Sequence, residues 1–130
     1  MEEIYYKITN ESEIHNGYEY RDGLNILKEE FNNDPNASCV KGGFYFTDFN
    51  NICKFYHYGI NIRIIKLPIT DPDFKITKDI SGDKWRSNKI ILCEKYSLLD
   101  PSTYQKLELP MRIDIIDYIS SKGYINLLNL

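Results

Sequence analysis

The side chains best suited to nucleophilic or metal chemistry are three thiols, Cys39, Cys53 and Cys93, and two imidazoles, His15 and His57. Structural zinc takes four Cys or His ligands, commonly in closely spaced pairs. No Cys-x-x-Cys occurs and both histidines are isolated, so no metal site is expected. Cys–His catalysis requires the two groups to meet in space, which nothing in their spacing provides; Cys53 and Cys93 sit in apolar runs and are expected to be buried. An odd number of cysteines fits a reducing compartment rather than a disulfide framework. Asp71-Pro72-Asp73 offers two carboxylates without the twelve-residue calcium-loop pattern, and no Gly-x-Ser-x-Gly elbow accompanies any serine. Trp85 with Lys84, Arg86 and Lys89 is the basic–aromatic cluster. It suits an acidic partner or a phosphate, or else a solvated edge whose indole anchors a loop.

These groups sit on a chain of 130 residues with a formal charge of −3, a length that fits one domain and a fragment. Hydrophobic residues make up 42% and aromatic residues 14%, enough to build a packed core. No Lys/Arg stripe marks a nucleic-acid surface. No run approaches the ~20 apolar residues of a membrane span, and Met1-Glu2-Glu3 lacks the basic start of a signal peptide. Ile, Asn, Lys and Tyr account for 54 of the 130 residues. All four have A- and T-rich codons, so the excess reads as genomic bias, and tyrosine-based motifs are expected to arise by chance.

The elements that must position the candidate residues follow from periodicity. Ile4–Ile8 reads as a strand. Ile14–Leu27, with Gly17 and Gly23 among aromatics, reads as a strand pair or a strand broken by turns. Lys28–Gly43 reads as loop and Gly43–Thr47 as a strand. Asp48 is placed to cap a helix over about 48–58, with Phe49, Ile52, Cys53 and Tyr56 on its apolar face and Gly59 stopping it in a left-handed conformation. Ile60–Leu67 alternates, Ile60, Ile62 and Ile64 inward and Asn61 and Arg63 outward, so that residues 43–67 form a strand–helix–strand unit. Phe74–Thr77 is a short extended run and Lys89–Cys93 an apolar strand. Asp100-Pro101 opens a short helix to about Leu107, and Pro110 opens another whose apolar face includes Ile116 and Ile119, ended by Gly123. The expected fold is α+β: a mostly antiparallel sheet over about 4–96, one packed helix and a short C-terminal helical tail. The domain limits are 1–107 for the α+β domain and 108–130 for the tail.

Several irregular stretches carry more information than periodicity does. Tyr5-Tyr6-Lys7-Ile8-Thr9-Asn10, His15-Asn16-Gly17-Tyr18-Glu19-Tyr20-Arg21-Asp22-Gly23-Leu24-Asn25, Gly42-Gly43-Phe44-Tyr45-Phe46-Thr47-Asp48 and Lys84–Leu92 resemble the amino-terminal domain of ankyrin-repeat proteins of giant viruses of the mimivirus group, over about residues 5–105. Ile115–Leu128 is similar to a first ankyrin helix pair. An ankyrin repeat needs neighbours, about three or more, to bury its faces. The tail therefore suggests a short paralogue, a segment packed back on the domain, or a stripe shared between two chains. The resemblance implies a non-catalytic protein-interaction module in the host cytoplasm. Its expected partner is a viral or host protein, or a second copy through Ile116, Ile119, Leu127 and Leu128, and no nucleic acid, membrane or cofactor is expected.

A second resemblance is local. Gly43-Phe44-Tyr45-Phe46-Thr47-Asp48 followed by Tyr56 looks like the strand-to-helix segment of ADP-ribosyltransferases of the poly-ADP-ribose polymerase class, whose nicotinamide pocket is built there. It implies, as the alternative, an NAD site with Gly43, Tyr45 and Tyr56 around the ring and His15, Tyr56 and Asp83 as its catalytic set. This chain departs from that pattern in three places. Asn16 separates His15 from Gly17, Asp83 stands where the family has Glu, and Cys53 stands where it has a small hydroxyl residue. Both Tyr45 and Tyr56 also suit an ordinary core. The discriminating geometry is whether His15, Tyr56 and Asp83 converge.

Overall fold

Asn61-Ile62-Arg63-Ile64-Ile65-Lys66 is rich in β-branched side chains, which favour an extended backbone, and it runs through the middle of the main sheet. The computed structural model describes residues 3–38 and 40–110. In chain order it has strands β1 (Tyr5–Thr9), β2 (Ile14–His15), β3 (Tyr18–Glu19), β4 (Gly23–Ile26) and β5 (Phe44–Phe46), then a 3-10 helix, Ile52–Tyr58. Strands β6 (Asn61–Lys66), β7 (Ile76–Lys78), β8 (Trp85–Ser87) and β9 (Lys89–Ser97) follow, and helix α1 (Pro101–Leu107) comes last. The main sheet has the order β1-β6-β9-β4 and a second sheet the order β5-β8-β7, while β2 and β3 pair as a hairpin. Every strand pairing is antiparallel. The fold is thus α+β and sheet-dominated, as the periodicity predicts. The tail, with Ile116, Ile119, Leu127 and Leu128, lies outside the described residues, as does Cys39.

Two cores form on β6, from residues of opposite parity. Ile62 joins Ile52, Tyr56, Leu98, Tyr104 and Leu109, beneath the two helices. Ile65 joins Tyr20, Phe44, Phe46, Ile90 and Leu92, beneath the second sheet and the hairpin. Because strand side chains alternate between faces, residues three apart serve opposite cores, and the central strand is covered on both sides. That coverage corrects the reading of Asn61 and Arg63 as solvent-facing: they are 8% and 4% exposed.

Residues 43–67 also differ from the expected unit. β5 and β6 belong to different sheets, joined through a bridge between Tyr6 and Thr47 whose two amides donate reciprocally at 2.8 and 2.9 Å. The helix between them begins at Ile52 rather than Asp48 and is of the 3-10 type. Asp48 still ends the preceding strand with a turn: its Oδ1 accepts from the Asn51 backbone N–H at 3.0 Å and side-chain amide at 2.8 Å. Such short polar side chains divert backbone donors that an α-helix would use. Gly59 is extended, with φ 179°, rather than left-handed. Its lack of a Cβ matters for space, because that atom would stand 2.2 Å from the Thr9 carbonyl oxygen. Asn16 and Gly17 both have positive φ, 51° and 78°, and form the two-residue connection of the β2–β3 hairpin, a pairing that suits the twist of the strands. Helix α1 follows expectation. Asp100 caps it, accepting from the Ser102 N–H at 3.0 Å, with Pro101 in the first turn and left-handed Glu108 after Leu107.

Arg63 is held in the sheet by an ion-pair network. Its Nε and Nη2 donate to the Glu13 carboxylate at 2.8 and 2.7 Å. Its Nη1 donates to Asp22 Oδ1 at 2.7 Å and to the Cys93 carbonyl at 2.9 Å. The Thr9 hydroxyl also donates to Glu13, at 2.8 Å. Hydrogen bonds from Arg63 hold the Glu13 carboxyl below its ordinary value of 4.5, outweighing its burial, with Thr9 and Lys95 helping. The folded carboxyl therefore binds a proton less readily than the unfolded one, so its stabilisation is present above about pH 4.5 and lost as pH falls through the folded value. Glu13→Gln is expected to destabilise the fold by about 3 kcal/mol at pH 7 and to lose less further stability than wild type on acidification below pH 4.5. Urea titrations at several pH values test both.

Candidate functional site

Between β1, the tip of the β2–β3 hairpin, β5 and the 3-10 helix lies a cleft of about 660 Å³, within the size range of small-molecule sites. Each wall follows from local structure. The Asn16–Gly17 turn projects His15 and Tyr18 over the opening. The Tyr6–Thr47 bridge sets β5 beside β1. The 3-10 helix contributes Phe55 and Tyr58, whose rings stack at 5.9 Å. Inside, Tyr18, Tyr20 and Phe44 form a triangle of rings with centroids 4.9–5.6 Å apart.

The residues singled out in the sequence take different places. His15, Gly43 and Tyr45 line the cleft, whereas Tyr56 and Asp83 are not among its lining residues. Tyr56 is 1% exposed; its hydroxyl donates to the Pro110 carbonyl at 2.7 Å and its ring meets Tyr104 edge-on. Asp83 lies in the turn before β8, its carboxylate accepting from the Ser81 hydroxyl at 2.6 Å and its carbonyl from Thr47. Of His15, Tyr56 and Asp83, then, the cleft receives His15 alone. Cys53 and Cys93 are half-buried rather than buried, Cys53 packing against the helix-covered core. No cluster of three or more His, Cys, Asp or Glu suited to a metal occurs among the described residues.

The basic–aromatic cluster does not form a patch. Arg86 is fully buried and donates to the carbonyls of Asn32, Asp34 and Ala37, with Asp79 at 3.6 Å. Burial opposes ionisation of Asp79, but hydrogen bonds from Ser81 and Ser38 and the charge of Lys84 hold its carboxyl below the ordinary value. Lys89 pairs with Asp71 at 2.6 Å, Lys84 lies over the Tyr45 ring, and Trp85 packs on Phe46 and Tyr5. The indole therefore anchors its strand to the core.

Lys7, Phe55 and Tyr58 line the cleft without having stood out in the sequence. Lys7, within the Tyr-Tyr-Lys-Ile-Thr run of β1, is half-buried; its Nζ donates to the Tyr45 carbonyl at 2.6 Å and lies 4.9 Å from the centre of the Tyr20 ring. Burial lowers the Lys7 pKa from 10.5 to about 8 and pushes the Tyr20 hydroxyl well up. A lysine in a strand ordinarily marks the solvent face, so the sequence carries no local signal for this placement. The unfolded chain keeps the Lys7 proton to about pH 10.5 and the folded chain releases it near 8, so the lysine's unfavourable contribution is relieved as pH rises through 8. The stability of wild type relative to Lys7→Met is accordingly expected to rise between pH 7 and pH 9.5, read from denaturation midpoints. A constant difference would show that the ammonium is not desolvated.

No family model and no solved structure matches the chain. Curated relatives from Acanthamoeba polyphaga mimivirus do. "Putative ankyrin repeat protein R868" is 46% identical over 104 residues, 80% of this chain and 52% of the relative. "Putative ankyrin repeat protein R896" is 49% identical over 110 residues, 85% of this chain and 32% of the relative. "Uncharacterized protein R869" is 48% identical over 103 residues, 78% of this chain and 73% of the relative. The chain thus spans about half the length of the first relative and a third of the second. This chain belongs to the mimivirus family that includes "Uncharacterized protein R869" and the putative ankyrin repeat proteins R868 and R896.

Proposed function

We propose that the chain is a non-catalytic protein-interaction module acting in the host cytoplasm, with a viral or host protein, or a second copy, as its partner. The observation that carries this reading is the recurrence of one domain in relatives of which it makes up 52%, 32% and 73%. A unit joined to different remainders, several of them named as ankyrin repeat proteins, behaves as a portable recognition element. The contact surface assigned to it is the apolar stripe Ile116, Ile119, Leu127 and Leu128. The full chain is expected to self-associate or to retain a specific protein from mimivirus-infected Acanthamoeba extract, and Ile116→Asp with Leu127→Asp is expected to abolish that. Light scattering and affinity capture read the two forms. A doubly substituted chain that stays folded and keeps its oligomeric state and captured proteins removes the stripe from consideration.

A second reading, an NAD site of the ADP-ribosyltransferase kind, keeps only the gathering of His15, Gly43 and Tyr45 along one cleft, since Tyr56 and Asp83 lie elsewhere. Binding to the native state must raise its stability, so millimolar NAD is expected to raise the melting temperature, with nicotinamide released if the site is active. An unchanged melting temperature and no released nicotinamide eliminate it.

A further inference from the structure

The cleft is lined by a half-buried lysine, Lys7. Lys7 stands directly opposite Arg63 in the β1–β6 ladder, a like-charged cross-strand pair that is unfavourable by itself. Arg63 takes the neighbouring carboxylates, Glu13 and Asp22, both at 2.7 Å. Among the described residues no carboxylate lies within ion-pair distance of Lys7. An ammonium has three N–H donors, and the Tyr45 carbonyl accepts one of them. Besides that carbonyl, the half-buried ammonium meets the Tyr20 ring at 4.9 Å, and an arriving anion would offset the desolvation cost that remains. The rim reinforces the sign: Lys7, Lys28, Lys41 and Lys84 line the cleft against Glu13 and Glu29, in a chain whose net charge is −3.

The chemistry of the guest follows from what surrounds the ammonium. Neither Arg63 nor Arg86 lines the cleft, so no guanidinium fork is offered to a phosphate. Lys28 and Lys41 are exposed and Lys84 lies over the Tyr45 ring, so the inner ammonium is that of Lys7, whose single charge matches a carboxylate better than a phosphate monoester of roughly −1.5 to −2. Beside it, aromatic faces supply an apolar bed. We propose that the cleft binds a small monocarboxylic acid with an aromatic body, its carboxylate paired with Lys7 and its ring set against Tyr18, Tyr20 and Tyr45. The proposal rests on neither functional reading above. Burial lowers the Lys7 pKa, in keeping with an ammonium that gains from an added counter-charge.

Calorimetric titration of the full chain with 2-naphthoate and its neutral isostere 2-naphthamide tests this. Saturable binding of the carboxylate, about tenfold or more tighter than the amide, is expected from a charge-assisted hydrogen bond. Lys7→Met is expected to reduce 2-naphthoate to the level of the amide and to leave the amide unaffected. Equal affinities in wild type, absence of saturable 2-naphthoate binding, or a folded Lys7→Met protein that binds it as wild type does would overturn the proposal. If Lys7→Met does not fold, the comparison of acid and amide on wild type decides alone.

Discussion

Arg63 occupies the central strand of the main sheet with 4% of its surface exposed, where an unpaired guanidinium would cost several kcal/mol. Its pairing partners come from the segment that carries the β2–β3 hairpin: Glu13 just before β2 and Asp22 just after β3. Satisfying one buried charge therefore helps dock a segment whose apolar anchor is Tyr20, with Tyr18 packed against it. Glu13 has a positive φ of 55°, and its carbonyl accepts the Tyr20 N–H at 2.9 Å. The backbone turn and the ion pair thus fix the hairpin together. The hairpin in turn forms one wall of the cleft, so the shape of the candidate site depends on an interaction outside it.

Arg86 does a related task in the second sheet. Its guanidinium reaches the carbonyls of Asn32, Asp34 and Ala37, giving a long loop of polar residues a buried donor to close around. Two arginines, in different sheets, thus hold irregular segments that hydrophobic burial alone would leave loose. Arg suits this use because its donors form a planar fork and its charge is weakly hydrated. Lys7, opposite Arg63, bears the consequence, since Glu13 and Asp22 are committed to Arg63.

Much of the fold was legible because hydrophobic period and turn chemistry are local properties. The β1 run, the β5 run, the start of β9 and the capped helix α1 all appear where apolar spacing or Asp-Pro placed them. The segment over 48–58 was legible as helical, but its type and start were not. Asp48 and Asn51 exchange hydrogen bonds locally, and propensity cannot weigh that against an α-helical turn. The candidate site was legible only in pieces: Gly43, Tyr45 and His15 were marked by a motif, while Lys7 was not marked at all. Tyr56 carried the strongest chemical expectation of its helix and sits in the helix-covered core.

By itself the sequence determined that this is a sheet-dominated α+β domain, and it determined the family. Those follow from side-chain period, glycine placement and irregular motifs, each confined to a few neighbouring residues. Only the tertiary structure decided that Arg63 and Arg86 are interior, that β5 and β6 part into separate sheets, and that Lys7 lines a cleft. Alternation in a strand assigns side chains to two faces without saying whether both are covered. Coverage of the second face here depends on ion pairs between residues fifty positions apart in the chain, and no local pattern records such a partner.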